Sequence, residues 1–220
     1  MKANIKSQLF ILRQESQTII DSKKFSWFLP LERLNRIKNA KQNNQWALFY
    51  SDVLVRYLAS NQLNVTLDDI VFTKKTYGKP HIANYPDFHF NVSHSGAYLV
   101  VLISNHPVGV DIEEINTPNL RIARRFFLDE EQTYVFSDEE LSNKRFYEIW
   151  TRKESYIKYL GKGLAVPLNS FCVFDGKLNN HFNTFEIDNC FVSTFIKDEK
   201  QSYPIIRITE DEILNYLSKF

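Results

Sequence analysis

The short apolar run Leu9-Phe10-Ile11-Leu12, set between polar ends, predicts a first strand over residues 7–14. Residues 28–59 change to helical spacing that ends near Ser60-Asn61. A short strand follows at 70–73, then a turn at Tyr77-Gly78-Lys79-Pro80, since Gly admits positive φ and Pro bars a regular helix. Alternation from Phe88 to Val92 predicts a half-buried strand closing at Ser93-His94-Ser95-Gly96. The apolar run 98–104, the breaker Asn105-His106-Pro107 and the alternating Val108-Gly109-Val110-Asp111-Ile112-Glu113 together predict an antiparallel hairpin. Helical character resumes over 120–127, and the capping pattern Ser137-Asp138-Glu139-Glu140 predicts the start of a helix running to Leu160, with Gly161 as its stop. Short β-like runs fill 170–209, and 210–219 reads as a small helix.

Alternation makes 108–113 chemically informative. Val108, Val110 and Ile112 share one face, and Gly109, Asp111 and Glu113 share the other. The two acids stand about 7 Å apart at ~3.3 Å per residue, so both can reach one hard cation, with Gly109 leaving room beside them. An edge strand displaying two solvated acids is the plainer reading.

Further on, Phe146, Trp150, Ile157 and Leu160 form an apolar helical stripe into which Lys153 projects, with Glu154 on its border and Lys158 just beyond. An ammonium on a packed face requires a carboxylate or phosphate partner. The alternative is an ordinary amphipathic helix with a Glu154–Lys158 surface pair. Ser93 and His94, at the end of a strand, can converge on an anion.

Composition narrows the classes. The 220 residues are 44% apolar and 24% charged with only 6 Gly and 7 Pro, which excludes disordered and fibrous chains. A net charge of +1 supplies no footprint for nucleic acid, so any bound polyanion is small. Cys172 and Cys190 form no CxxC pair and read as reduced thiols. Lys6, Arg13, Gln14 and Glu15 interrupt the N-terminal stretch before a signal core forms, and 98–103 is too short to span a bilayer, so a cytosolic protein is expected. GxSxG, GxxxxGK[ST] and HExxH are absent. The acids and lysines alone point to magnesium-assisted chemistry on a phosphate compound, with a metal-dependent nuclease or phosphohydrolase as the rival.

Three ordered blocks go further. Phe90-Asn91-Val92-Ser93-His94-Ser95, then Val108-Gly109-Val110-Asp111-Ile112-Glu113, then Trp150-x-x-Lys153-Glu154-Ser155-x-x-Lys158 resemble the long, pseudodimeric 4'-phosphopantetheinyl transferases. Tyr77-Gly78-Lys79-Pro80 before them and Lys162-Gly163-Leu164 after them stand in the family's order.

The resemblance implies an α+β fold of two similar α/β subdomains, 1–108 and 109–220, with coenzyme A between them. It implies transfer of the phosphopantetheine arm to a serine of an apo acyl- or peptidyl-carrier protein, by a monomer that needs neither nucleic acid nor membrane. Asp111, Glu113 and Glu154 take the Mg²⁺ positions, with Glu154, Lys158 and Asp111 catalytic. Arg33, Arg36, Gly78, Lys79, Pro80, Ser93, His94, Lys153 and Lys158 take the coenzyme A positions. Arg121, Arg124 and Arg125, with Phe126 and Phe127, are candidates for the acidic carrier surface. The chain departs from the family at Gln45-Trp46-Ala47-Leu48, where Arg followed by Ser or Thr is usual. A noncatalytic carrier-binding protein is the second alternative.

Overall fold

The first predicted strand forms as β1 (Gln8–Arg13), flanked by β5 (Tyr98–Ser104) antiparallel and by β9 (Ile205–Ile208) parallel. β4 (His89–Ser95) pairs with the other edge of β5, giving a sheet in the order β4-β5-β1-β9. This computed structural model describes residues 5–15, 26–197 and 202–219; the N-terminal stretch read for a targeting signal falls partly outside them. Among the described residues no helix is long and apolar enough to cross a membrane.

Helical residues 28–59 divide into α1 (Leu31–Asn39) and α2 (Gln42–Leu63), because Ala40 and Lys41 adopt extended backbone. Both are good helix formers, so spacing does not mark the break. The tertiary fold imposes it: Arg33 on α1 donates to the Leu48 carbonyl at 2.6 Å and pairs with Asp52 at 3.2 Å, drawing α1 back along α2. A small ribbon of β2 (Phe72–Lys74) and β3 (Pro80–Ile82) encloses the expected turn, where Gly78 has φ +88°.

β6 (Val108–Glu114) does not form the expected hairpin with β5. Both edges of β5 are already paired, so the chain crosses at 105–107 into a second sheet, β6-β8-β7, built with β7 (Phe182–Ile187) and β8 (Cys190–Ile196). The hairpin partner of β5 is β4. β4 itself runs through Ser93 and His94 to Ser95, and the turn falls at Gly96-Ala97 rather than at the predicted Ser-His step.

Alternating faces stack the two sheets. Leu9, Ile11, Val100 and Leu102 of the first meet Val108, Val110, Ile112 and Val192 of the second in a buried apolar layer. α2 covers the outer face of the first sheet through Phe49, Val53 and Leu54. On the outer face of the second lies α5 (Ser142–Leu160), with α3 (Arg121–Phe126), α4 (Asp129–Phe136) and α6 (Gly176–Asn179) around it.

The helix ending at Leu160 begins at Ser142, not at the predicted cap of 137–140, because Ser137 Oγ accepts from Arg145 instead. α4 escaped the spacing analysis; its N-terminus is closed by Glu131, whose Oε2 accepts the Leu128 N–H at 2.8 Å. The chain changes sheets between Ser104 and Val108, and its end changes back. β9 and α7 (Glu210–Leu217) return to the first half, where Ile213 and Leu217 join its core. The unusual 45–48 segment serves this return, since the Trp46 indole N–H donates to Glu210 at 2.6 Å.

Candidate active site

The site lies where β4, the edge of one sheet, passes β6, the edge of the other. β6 places Asp111 and Glu113 on the face that meets α5, as the alternation predicts. Gly109 leaves no room for a ligand. A Cβ there would lie 1.9 Å from the Ser155 carbonyl oxygen and 2.5 Å from the Tyr159 nitrogen, so its bare backbone is what lets α5 approach the strand.

That approach brings Lys158 to Asp111. The Lys158 ammonium donates to Asp111 Oδ1 at 2.6 Å and to Ser93 Oγ at 2.8 Å, while Ser93 Oγ donates to the same Asp111 oxygen at 2.9 Å. Glu154 is therefore not the ion partner of Lys158. Lys158, one turn beyond Glu154 on α5, holds Asp111, while Trp150, one turn before it, exerts a lowering pull on the Glu113 carboxyl. Burial pushes the Glu154 carboxyl up, and the Asp111 charge pushes it further. Glu113 is raised for the same two reasons, against the pull of the Ser95 hydrogen bond. Burial also raises Asp111 itself, opposed by Lys158. His94 is exposed on the opposite face of β4, its imidazole held below the ordinary value by desolvation and then by the Lys158 ammonium.

The donor chemistry of this set, three carboxylates, is of the kind that suits a hard divalent ion. Among the described residues no three acidic, imidazole or thiol groups are gathered closely enough to hold one metal ion as they stand. Asp111 Oδ2, however, is buried without a hydrogen-bond partner, and the carboxyls around it repel one another. An orphan carboxylate oxygen beside two further acids is the oxygen-rich environment that a hard cation takes.

Other expected site residues are distributed differently. Lys153 is fully buried and has no access to the cleft. Its ammonium pairs with Glu131 at 2.7 Å and donates to the carbonyls of Leu168 and Phe171 at 2.8 Å each, so the partner its position demands is a structural carboxylate. Arg33 is committed to Asp52 and Leu48, whereas Arg36 is exposed. The Lys79 ammonium crosses the seam to the carbonyls of Val108 at 2.8 Å, Lys158 at 2.6 Å and Tyr159 at 3.3 Å. Gly78 and Pro80 bracket Lys79 in the turn and the start of β3.

Beside Lys79 a cavity of about 480 Å³ opens along the seam, lined by Lys75, His89, Phe90, Pro107, Tyr159 and Lys162 among others. Sequence reasoning missed His89 and Tyr159. Their signal was adjacency to the Ser-His and WxxKE blocks rather than any pattern of their own. Phe127 is buried and stacks on Phe146, so it is core and not docking surface.

Two stacked halves, each a sheet covered by helices, that meet at a seam holding Asp111 and Ser93 define a pseudodimeric α+β architecture. Residues 107–206 match the 4'-phosphopantetheinyl transferase superfamily, and residues 23–106 match the 4'-phosphopantetheinyl transferase N-terminal family. The chain is 36% identical over 181 residues to the 4'-phosphopantetheinyl transferase ffp of Bacillus subtilis, covering 76% of this chain and 80% of that one. It is 44% identical over 123 residues to the 4'-phosphopantetheinyl transferase Sfp of Bacillus subtilis (strain 168), covering 56% and 55%. To the 4'-phosphopantetheinyl transferase gsp of Aneurinibacillus migulanus it is 44% identical over 123 residues, covering 56% and 51%. The matched stretch thus spans about half the length of the latter two. This chain belongs to the 4'-phosphopantetheinyl transferase superfamily.

Proposed function

We propose that the protein transfers the 4'-phosphopantetheine arm of coenzyme A to a serine hydroxyl of an apo acyl- or peptidyl-carrier protein and releases adenosine 3',5'-bisphosphate. The observation that carries this reading is the buried, unpartnered Asp111 Oδ2 next to Lys158 and Ser93, and a basic, ring-lined cavity lies further along the seam, lined by Tyr159, the residue after Lys158. A nucleotide carrying several phosphates fits such a cavity. Lys75 and Lys162 supply positive charge, and Tyr159 and Phe90 supply flat apolar surface.

Asp111, Glu113 and Glu154 would hold Mg²⁺, which when bound draws charge from the pyrophosphate oxygens. Lys158, fixed by Ser93 and Asp111, presents its ammonium where negative charge builds during attack. The carrier serine oxygen bonds to the β-phosphorus, and the bond from that phosphorus to the oxygen retained by adenosine bisphosphate breaks. The serine proton passes to the Glu154 carboxylate, directly or through a water. No electron is transferred.

Both sides of the site come from one chain, so a monomer suffices. The free thiols Cys172 and Cys190 suit the reducing cytosol. α3 offers the carrier surface, because Arg121, Arg124 and Arg125 are exposed and a carrier protein is acidic.

Intact-mass analysis of several apo-carriers after incubation with coenzyme A and Mg²⁺ tests the reading. A gain of one phosphopantetheine per acceptor serine is expected. Unmodified carriers, with cleavage of DNA under the same conditions, would overturn it in favour of a nuclease.

A further inference from the structure

β4 and β6 share no backbone ladder, yet they are joined by a comb of side chains. Alternate residues of β4 point toward the second sheet, and each meets β6. Asn91 Oδ1 accepts the Val110 N–H at 2.8 Å, Ser93 Oγ donates to Asp111, and Ser95 Oγ both donates to Glu113 Oε2 and accepts the Glu114 N–H, each at 3.0 Å. Free N–H groups on the edge of a strand need partners, and the comb supplies them.

Its last tooth does more than cap. Ser95 is the one β4 hydroxyl that grips both the backbone and an acid of the site. The adjoining turn is fitted against the same end of β6: Gly96 has φ +54°, and a Cβ there would lie 2.7 Å from Glu114 Oε2. Glu113 thus has its backbone neighbour and its carboxylate fixed by one residue from the opposite half of the molecule.

We propose that Ser95 is a positioning residue that orients Glu113 for cation binding, so that the cation site is assembled across both halves although all its acids belong to the second. The inference rests on the cation-binding reading above. Outer partners of ligating carboxylates are worth roughly 10–100-fold in metal affinity.

The test is direct Mn²⁺ binding, followed by electron paramagnetic resonance of the free ion, in wild type, Ser95→Ala and Ser95→Thr. The expected result is Mn²⁺ binding weakened on the order of tenfold in Ser95→Ala and restored in Ser95→Thr, with the thermal midpoint little changed. Wild-type affinity in Ser95→Ala overturns this inference alone. If Ser95→Ala does not fold, Ser95→Thr decides by itself, since its retained hydroxyl must preserve binding and a tenfold loss rejects the proposal. A wild-type protein that binds no Mn²⁺ overturns the cation-binding reading together with it.

Discussion

Lys79 and Lys158 lock the two halves together through opposite ends of one residue. The Lys79 ammonium donates to the Lys158 carbonyl at 2.6 Å, and the Lys158 ammonium donates back to Ser93 of the first half at 2.8 Å. Carbonyls in the last turn of a helix lack intrahelical donors and carry the negative end of its dipole, so a lysine is well matched to them. Burial and the nearby Lys75 push Lys79 down to about 8. With three carbonyls around it, this ammonium is a clasp on α5 rather than a free phosphate ligand.

Lys79→Met should therefore cost about 1–3 kcal/mol of stability, from carbonyls left without a donor. It should also lower kcat by the same factor with coenzyme A and with its 3'-dephospho analogue, because α5 and its Lys158 lose their anchor. Steady-state kinetics on both substrates checks this. A loss confined to coenzyme A would show direct contact with the 3'-phosphate instead.

Gly109→Ala should be far worse than a surface change. The new Cβ meets the backbone oxygen of Ser155 at 1.9 Å, which no side-chain rotation relieves. Overpacking costs about 1–3 kcal/mol or more, and at ~2–4 °C per kcal/mol the melting temperature should fall by on the order of 10 °C. Turnover should fall as Lys158 moves away from Asp111. A variant with the wild-type midpoint would mean that α5 can shift without strain.

The pattern of apolar positions exposed the faces of β6 and the C-terminal stop of α5, because these are local properties of strand alternation and of Gly161. The grouping of Asp111, Glu154 and Lys158 came from the resemblance of the three ordered blocks and not from periodicity. Partner choice was not local. Whether 98–104 pairs with 108–113 depends on β1 already occupying the free edge of β5, and β1 is about ninety residues earlier. Likewise nothing near Lys153 distinguishes a phosphate from Glu131 as its partner, since both satisfy a buried ammonium equally well. The return of β9 and α7 to the first half rests on Trp46 and Glu210, 164 residues apart.

The Lys153–Glu131 pair gives a test of structural against cofactor roles. Lys153→Met leaves Glu131 charged and unpaired where both side chains are fully buried, so a loss of about 3–5 kcal/mol is expected. Lys153→Met with Glu131→Gln should recover part of it, because the buried charge is gone, although the amide oxygen can keep only one of the N–H groups of Leu128 and Val173, which now bond to different oxygens of Glu131. Urea unfolding of the single and double variants measures this coupling. The double variant should bind coenzyme A as wild type does, and a large rise in its KM would restore Lys153 to the substrate site.

Acid sensitivity should trace in part to His89. Burial, then the charges of Lys75 and Lys79, lower its imidazole from 6.5 to about 4, with Asp87 pulling the other way and His106 adding to the shift. The unfolded chain therefore binds this proton more readily than the folded one. Stability from the neutral ring is complete above 6.5, declines as pH falls from 6.5 toward about 4, and changes no further below that. His89→Gln removes the difference. Denaturant unfolding across this window should show a shallower loss of stability in the variant than in wild type, and parallel curves would assign the acid sensitivity to other groups.

The carrier surface can be separated from the coenzyme A site by charge reversal on α3. Arg124 lies 4.3 Å over the Phe136 ring and Arg125 lies 5.1 Å over Phe126, so both guanidinium groups are held on aromatic faces while remaining exposed. Held charges steer an acidic partner with less entropy loss than free ones. Arg124→Glu with Arg125→Glu should raise the carrier KM by at least about tenfold, the equivalent of ~1.4 kcal/mol, with little change in the KM for coenzyme A. Raising the salt concentration should weaken wild-type carrier binding in the same direction. An unchanged carrier KM in the double variant would move the docking surface away from α3.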